Sequence, residues 1–169
     1  DTILIYQGKP HVRAWGFSMS FFNTQIGMVG LVGNSKSGIE ENTMAKYVDG
    51  FVLVVPKGKE AEYQKMAEMG RDAWMKHGAL QYFECKGDDL KQQEMGDEKS
   101  RAFTDMAGTN AEENVWFSFI VFHSKEHRDE VNKKVMEEMS ETYKDEADFV
   151  MPADMKKMAY GGFEVAVEG

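Results

Sequence analysis

Few side chains in this sequence of 169 residues have a type and spacing that could do chemistry. His77 closes an apolar helical stripe just before Gly78. A histidine there can satisfy the last helix carbonyls and favour the C-terminal dipole, or it can move a proton near neutral pH. Glu84 and Cys85 are neighbours in a stretch of strand character, so their side chains fall on opposite faces and cannot serve one pocket from that strand. Cys85 becomes a nucleophile only where a nearby cation lowers its pKa; the plainer expectation is a buried, inert thiol. Asp88 and Asp89 read as turn residues, where aspartate bonds the backbone, and with Glu84 they form an alternative set for a hard cation. His123 and His127 are four apart, but Ser124 reads as a helix cap that leaves His123 outside. No third ligand follows, so zinc is not expected. Ser118 is a lone hydroxyl in an apolar strand. It either bonds neighbouring backbone or faces a ligand beside Trp116 and Tyr160. The candidate ligand-binding residues are therefore His77, Trp116, Ser118 and Tyr160, with His77 as the candidate proton carrier.

Larger motifs are missing. There is no Ser-His-Asp order, dinucleotide fingerprint or paired metal motif, and no cofactor is expected. Gly30-Leu-Val-Gly33-Asn-Ser-Lys36-Ser37 approaches a phosphate-binding loop. That loop needs glycine directly before the lysine, where backbone amides wrap the phosphate, and Ser35 stands there instead. The stretch reads as a Gly/Ser linker.

The elements that must position these residues begin near Met44. Tyr47 to Pro56 is β-branched, aromatic and stopped by proline, which predicts a strand. Glu60 to Lys76 has helical spacing, with Tyr63, Met66, Ala67, Gly70, Ala73, Trp74 and His77 on one face. Ala79 to Cys85 reads as a second strand. Leu90 to Asn114 reads as a long charged connection, with a short helix around Ser100 to Met106. Val115 to Phe122 is the clearest strand of all. Ser124 caps a helix from Lys125 to about Tyr143, with Arg128, Val131, Val135, Met139 and Tyr143 on one stripe. Lys157 to Glu168 is the last strand, and its Gly161-Gly162 pair predicts a bulge or a close backbone approach.

The order βαββαβ predicts a ferredoxin-like α+β domain over residues 44–169, a four-stranded antiparallel sheet with two helices on one face. Such a sheet leaves its other face bare, so its strands should alternate apolar and polar. The strand 115–122 does not. Trp116, Ile120 and Phe122 point one way, Val115, Phe117, Phe119 and Val121 the other, and Ser118 is the only polar residue among the eight. Each such side chain gains roughly 1.5–3 kcal/mol on burial, so both faces must be covered. A second copy, giving a homodimer through the sheet face, is the economical cover; the apolar N-terminal segment folding back is the rival.

Composition narrows the partners. Twenty basic against 29 acidic side chains give a formal charge of −9, which repels phosphate backbones and anionic lipid; DNA, RNA and membrane are not expected as partners. One cysteine cannot build a disulfide framework, so a reduced, cytoplasmic protein is expected. Thirteen methionines suit core packing and adaptable apolar pockets. Residues 1–43 are neutral, three basic against three acidic, and mostly apolar from Ala14 to Val32, but too polar for a good membrane span and without a clean cleavage site. They read as an N-terminal extension, an added strand or an artefact of start-site choice, because Met44-Ala-Lys-Tyr-Val-Asp-Gly looks like a natural chain start.

Several stretches together carry a resemblance: Tyr47-Val-Asp-Gly-Phe51, His77-Gly-Ala79, Glu84-Cys-Lys-Gly-Asp-Asp89, the strand Val115 to Phe122, Ser124-Lys125 with Arg128-Asp129, and Met158-Ala-Tyr-Gly-Gly-Phe163. Over Tyr47 to Glu168 the chain resembles the YbaA-like family of small uncharacterised proteins (DUF1428). The resemblance implies a dimeric α/β-barrel, in which two such sheets face each other, but it supplies no reaction. Some relatives carry a name linked to the signal recognition particle, an RNA association that the charge of this chain does not support. The 43-residue front end and the longer, more acidic middle connection depart from the family. The expectation is a small homodimer binding a small, partly apolar molecule in the barrel or the helix–sheet cleft. The alternative is a non-catalytic interaction module whose acidic surface engages a basic partner. Any enzymatic role would rest on fold analogy alone: cofactor-free oxygenation, isomerisation or detoxification.

Overall fold

The computed structural model describes residues 46–92, 94–143 and 150–169. The N-terminal extension, with its glycine-rich stretch and its apolar run, lies outside them.

Strand β1 (Tyr47–Pro56) leads through one 3-10 turn into helix α1 (Glu60–Lys76), then strand β2 (Gln81–Lys86). A two-stranded hairpin, β3 (Glu94–Met95) and β4 (Glu98–Lys99), and a short helix α2 (Phe103–Ala107) follow. Strand β5 (Glu113–Phe122), helix α3 (Lys125–Thr142) and strand β6 (Ala159–Glu164) complete the chain. The result is an α+β fold. Its main sheet has the order β2-β5-β1-β6, every neighbour antiparallel.

Local chemistry explains the element ends. Ser124 is extended and its hydroxyl accepts the His127 backbone N–H at 3.2 Å, so α3 starts where the cap places it. His123 falls outside the helix, and its backbone N–H donates to Nδ1 of His127 at 3.2 Å. Helix α1 ends at Gly78, whose φ of 110° suits glycine and lets the Ala79 N–H reach back to the Trp74 carbonyl at 3.0 Å.

Both long helices lie on one face of the sheet. Tyr63, Met66, Ala67 and Trp74 of α1 and Val131, Val135 and Met139 of α3 pack against Leu53, Val55, Trp116, Ile120 and Phe122. Among the described residues the opposite face is covered only at one end. Helix α2 contacts β1 and β5, and the cross-strand pair Val54 and Val115 is buried there. Further along, Phe83, Phe117 and Phe163 are 42%, 43% and 60% exposed.

Four expectations need correction. The long connection holds a hairpin, turned by Gly96 at a φ of 67°, as well as its short helix at 103–107; two-residue strands carry no periodicity to read. The last strand ends at Glu164, not Glu168, because its pairing with β1 ends at Tyr47. There is no bulge at Gly161-Gly162, since the register runs unbroken from Tyr47↔Glu164 to Val52↔Ala159. The close approach is real: a Cβ on Gly162 would stand 2.5 Å from the Tyr47 hydroxyl oxygen. Finally, Cys85 is exposed rather than buried. It lies on the sheet face away from α1 and α3, beside Phe117 in the register. Among the described residues no helix is long and apolar enough to cross a membrane.

Candidate functional site

Strand alternation puts Tyr82, Glu84 and Lys86 of β2 on the helix side, opposite Ile120, Ser118 and Trp116 of β5. Glu84 is the unusual member. Its side chain is half-buried and takes hydrogen bonds on both oxygens: the Tyr63 hydroxyl donates to Oε2 at 2.9 Å and the Tyr82 hydroxyl to Oε1 at 2.8 Å. The hydroxyl of Ser118, its cross-strand neighbour, also favours the ionised carboxyl. Burial pushes the Glu84 carboxyl above the usual carboxylate range, and these hydroxyl donors only partly offset it. The same burial, with the Glu84 charge second, pushes the Tyr63 and Tyr82 hydroxyls up, so both remain donors. Among the described residues no cation pairs with Glu84.

Glu84 lies where two openings meet. The first is a tight, apolar cleft between helices and sheet, lined by Phe51, Tyr63, Trp74, Tyr82, Met151 and Met158 with Glu84 and Ser118 at its polar end. Its empty space is about 350 Å³ with the solvent at its mouth counted, and its interior is narrow. The segment before β6 brings the two methionines there, pinned where the Asp154 N–H donates to the Val54 carbonyl at 2.8 Å. The second opening is wider, about 860 Å³, between α1 and the β2 edge; Arg71, Lys86 and Trp116 share its wall with Tyr82 and Glu84. Trp116 is 5% exposed, and its buried indole N–H has no partner among the described residues.

A second polar cluster sits below the same sheet. Asp49 is 1% exposed; its Oδ2 accepts from the Asn132 amide at 3.0 Å and its Oδ1 is 3.4 Å from the Arg128 guanidinium. Asn132 in turn accepts the Trp74 indole N–H at 2.8 Å, and Arg128 donates to the Tyr160 hydroxyl at 2.9 Å while standing 4.9 Å over the Tyr47 ring. Burial pushes Asp49 up, with Arg128 opposing. Its bonds tie α3 and β6 to the sheet, although Asp49 Oδ1 and Arg128 Nε lack hydrogen-bond partners among the described residues, and through Trp74 the network holds one wall of the cleft.

The residues singled out from sequence separate into groups. Trp116 and Ser118 lie beside Glu84. Tyr160 is one ring away, packed on Phe51 at a centroid distance of 4.9 Å. His77 is elsewhere: it bonds the Glu138 carboxylate at 2.5 Å, tying the end of α1 to α3, and it is not among the cleft-lining residues. Asp88 and Asp89 are exposed in the loop after β2, while Glu84 faces the helices, and no group of three His, Cys, Asp or Glu side chains among the described residues could hold a metal ion. Sequence reasoning passed over Tyr63 and Tyr82 as donors and the Asp49–Asn132 pair. The available signal was positional: Tyr82 and Glu84 are two apart on one strand face, and Asn132 is four after Arg128 on the buried stripe.

The fold and this cleft define a small α+β protein whose described residues form a four-stranded antiparallel sheet and three helices. The chain belongs to the DUF1428 family, described as protein of unknown function, whose profile matches residues 46–155. It is 38% identical over 123 residues, 73% of this chain and 98% of the relative, to the uncharacterized protein YbaA of Escherichia coli strain K12. Those of Escherichia coli O157:H7 and Shigella flexneri match to the same extent.

Proposed function

We propose that this protein binds a small, partly apolar molecule in the helix–sheet cleft at Glu84, as a homodimer of ferredoxin-like domains joined through their open sheet faces. The observation that carries the binding reading is a half-buried carboxyl at the end of an aromatic cleft, bonded by hydroxyls and paired with no cation among the described residues. A structural carboxylate at such a site is costly, and an apolar side chain of similar size packs there at least as well. Perturbed acids in apolar clefts mark binding and catalytic sites. As folded, the tight cleft has room for little more than a water or two, so a ligand displaces Met151 or Met158, flexible side chains that repack at low cost.

The dimer reading is supported by the strand order and by the uncovered groove on the far side of the sheet, which holds about 920 Å³ between Val48, Val52, Phe117, Phe119 and Phe163. The rival cover, the segment from Ala14 to Val32, lies outside the described residues.

Ser118→Leu fills the space beside Glu84 without touching the open face. In titrations of small aromatic molecules followed by tryptophan fluorescence, the wild type should saturate and Ser118→Leu should lose binding by about tenfold or more. Equal binding by both proteins would place the ligand elsewhere and remove the cleft from consideration.

A further inference from the structure

We infer that the cleft takes a small organic ammonium with a hydrogen-bond acceptor beside its charge, an aromatic amino alcohol or amino ketone in chemical class. The inference rests on the cleft being the ligand site and adds what that ligand must carry.

Three observations lead to it. The first is charge. Every polar group facing Glu84 is accounted for: Tyr63 from α1, Tyr82 from its own strand and Ser118 from β5, all hydroxyls. The cations at the wider opening are engaged elsewhere, Arg71 with Asp72 at 2.8 Å and Lys86 with Glu60 at 2.8 Å, and Glu68 there accepts from Gln64. Met151 and Met158, from the segment before β6, bring no charge. An entering cation therefore meets a carboxyl with no competing positive partner among the described residues, whereas an entering anion finds no uncommitted cation to pair with. The second is the wall. Phe51, Tyr63, Trp74 and Tyr82 line the cleft, and aromatic faces attract ammonium groups while receiving an apolar body. The third is the Trp116 indole N–H, on the wall of the wider opening that Glu84 shares, a buried donor with no partner among the described residues and two residues from Ser118 on the same strand face. Buried donors are normally satisfied, so an acceptor on the ligand, close to its charge, is the missing complement.

Glu84 must ionise to hold the ammonium. Burial holds its carboxyl up in the empty cleft, so binding the cation releases a proton and affinity rises with pH until Glu84 is ionised before the ligand arrives.

The test uses four probes on one skeleton, titrated calorimetrically into the full chain: 2-amino-1-phenylethanol, phenethylammonium, 1-phenyl-1,2-ethanediol and mandelate. The expected result is tightest binding by 2-amino-1-phenylethanol, about tenfold or more over the neutral diol, and none by mandelate. Proton release should show as a heat that changes with buffer ionisation enthalpy, and affinity should rise as pH rises above the usual carboxylate range. Glu84→Gln should abolish the preference for the amine over the diol. Trp116→Phe should bring 2-amino-1-phenylethanol down to phenethylammonium. Equal affinity for amine and diol in the wild type would overturn the charge assignment and leave the cleft standing. An unchanged gap between the two amines in Trp116→Phe would overturn the acceptor assignment. Failure of all four probes, neutral diol included, would count against the cleft reading itself as well as this inference.

Discussion

Two buried carboxyls, Asp49 and Glu84, sit on the same side of one sheet and are treated in opposite ways. Asp49 has a guanidinium, an amide and a tyrosine around it, and its neighbours tie helix and strand together. Glu84 has hydroxyls alone. Their consequences for stability share a sign. Burial raises Glu84 in the folded state above its unfolded value, so the folded chain binds that proton more tightly. Its contribution is full below the unfolded value of about 4.3 and is lost as pH rises through the raised folded value. Glu84→Gln does not titrate, so urea midpoints measured from about pH 4 to about pH 8 should move in favour of the variant relative to wild type across that window. A gap that stays constant with pH would mean that the carboxyl is not desolvated. At this scale the sequence was legible in part. Trp116 and Ser118 were found because a hydroxyl in an apolar strand is conspicuous. Glu84 was placed with Asp88 and Asp89 because they are close in sequence, although the pleat sends Glu84 under the helices while the loop aspartates stay exposed. Its hydroxyl donor Tyr63 comes from α1, a contact that exists only once helix meets sheet.

The elements were more legible than the residues they carry. Periodicity found α1 and α3 because each has a buried stripe, and face burial is what periodicity records. β-Branched and aromatic composition found the strands of the main sheet, β6 among them although none of its residues is fully buried. Ser124 and Gly78 marked helix ends through local hydrogen bonds that need no tertiary context. The hairpin at 94–99 and the true end of β6 depend on pairing rather than pattern, so a single strand could not announce them. The glycine pair shows how an element tolerates a close neighbour. Gly162 lies against the Tyr47 ring, itself under the Arg128 guanidinium, so a methyl group has nowhere to go. Gly162→Ala should therefore cost about 1–3 kcal/mol, read as a lower urea midpoint with unchanged slope. A neutral substitution would show that Tyr47 is free to swing aside and that the Arg128 network is looser than its geometry implies.

At the scale of the whole molecule, no described residue covers the far side of the sheet beyond its α2 end, and that is where assembly is expected. Phe83, Phe117 and Phe163 stand exposed there, and each would gain roughly 1.5–3 kcal/mol on burial. Phe117→Glu should therefore shift sedimentation from dimer towards monomer by more than about tenfold in dissociation constant while far-UV circular dichroism stays unchanged. The exposed thiol of Cys85, beside Phe117 on that face, should label faster in the variant. An unaltered wild-type monomer with rapid labelling would remove the paired sheets and leave the cleft on a single chain. The cleft itself stands or falls on Glu84. The most direct measurement is a carboxyl-carbon NMR titration of that side chain, its resonance assigned by its loss in Glu84→Gln. The midpoint should lie above the usual carboxylate range in the free protein and fall when 2-amino-1-phenylethanol is bound. A midpoint in the ordinary range, unmoved by any ligand, would contradict a site built on this carboxyl.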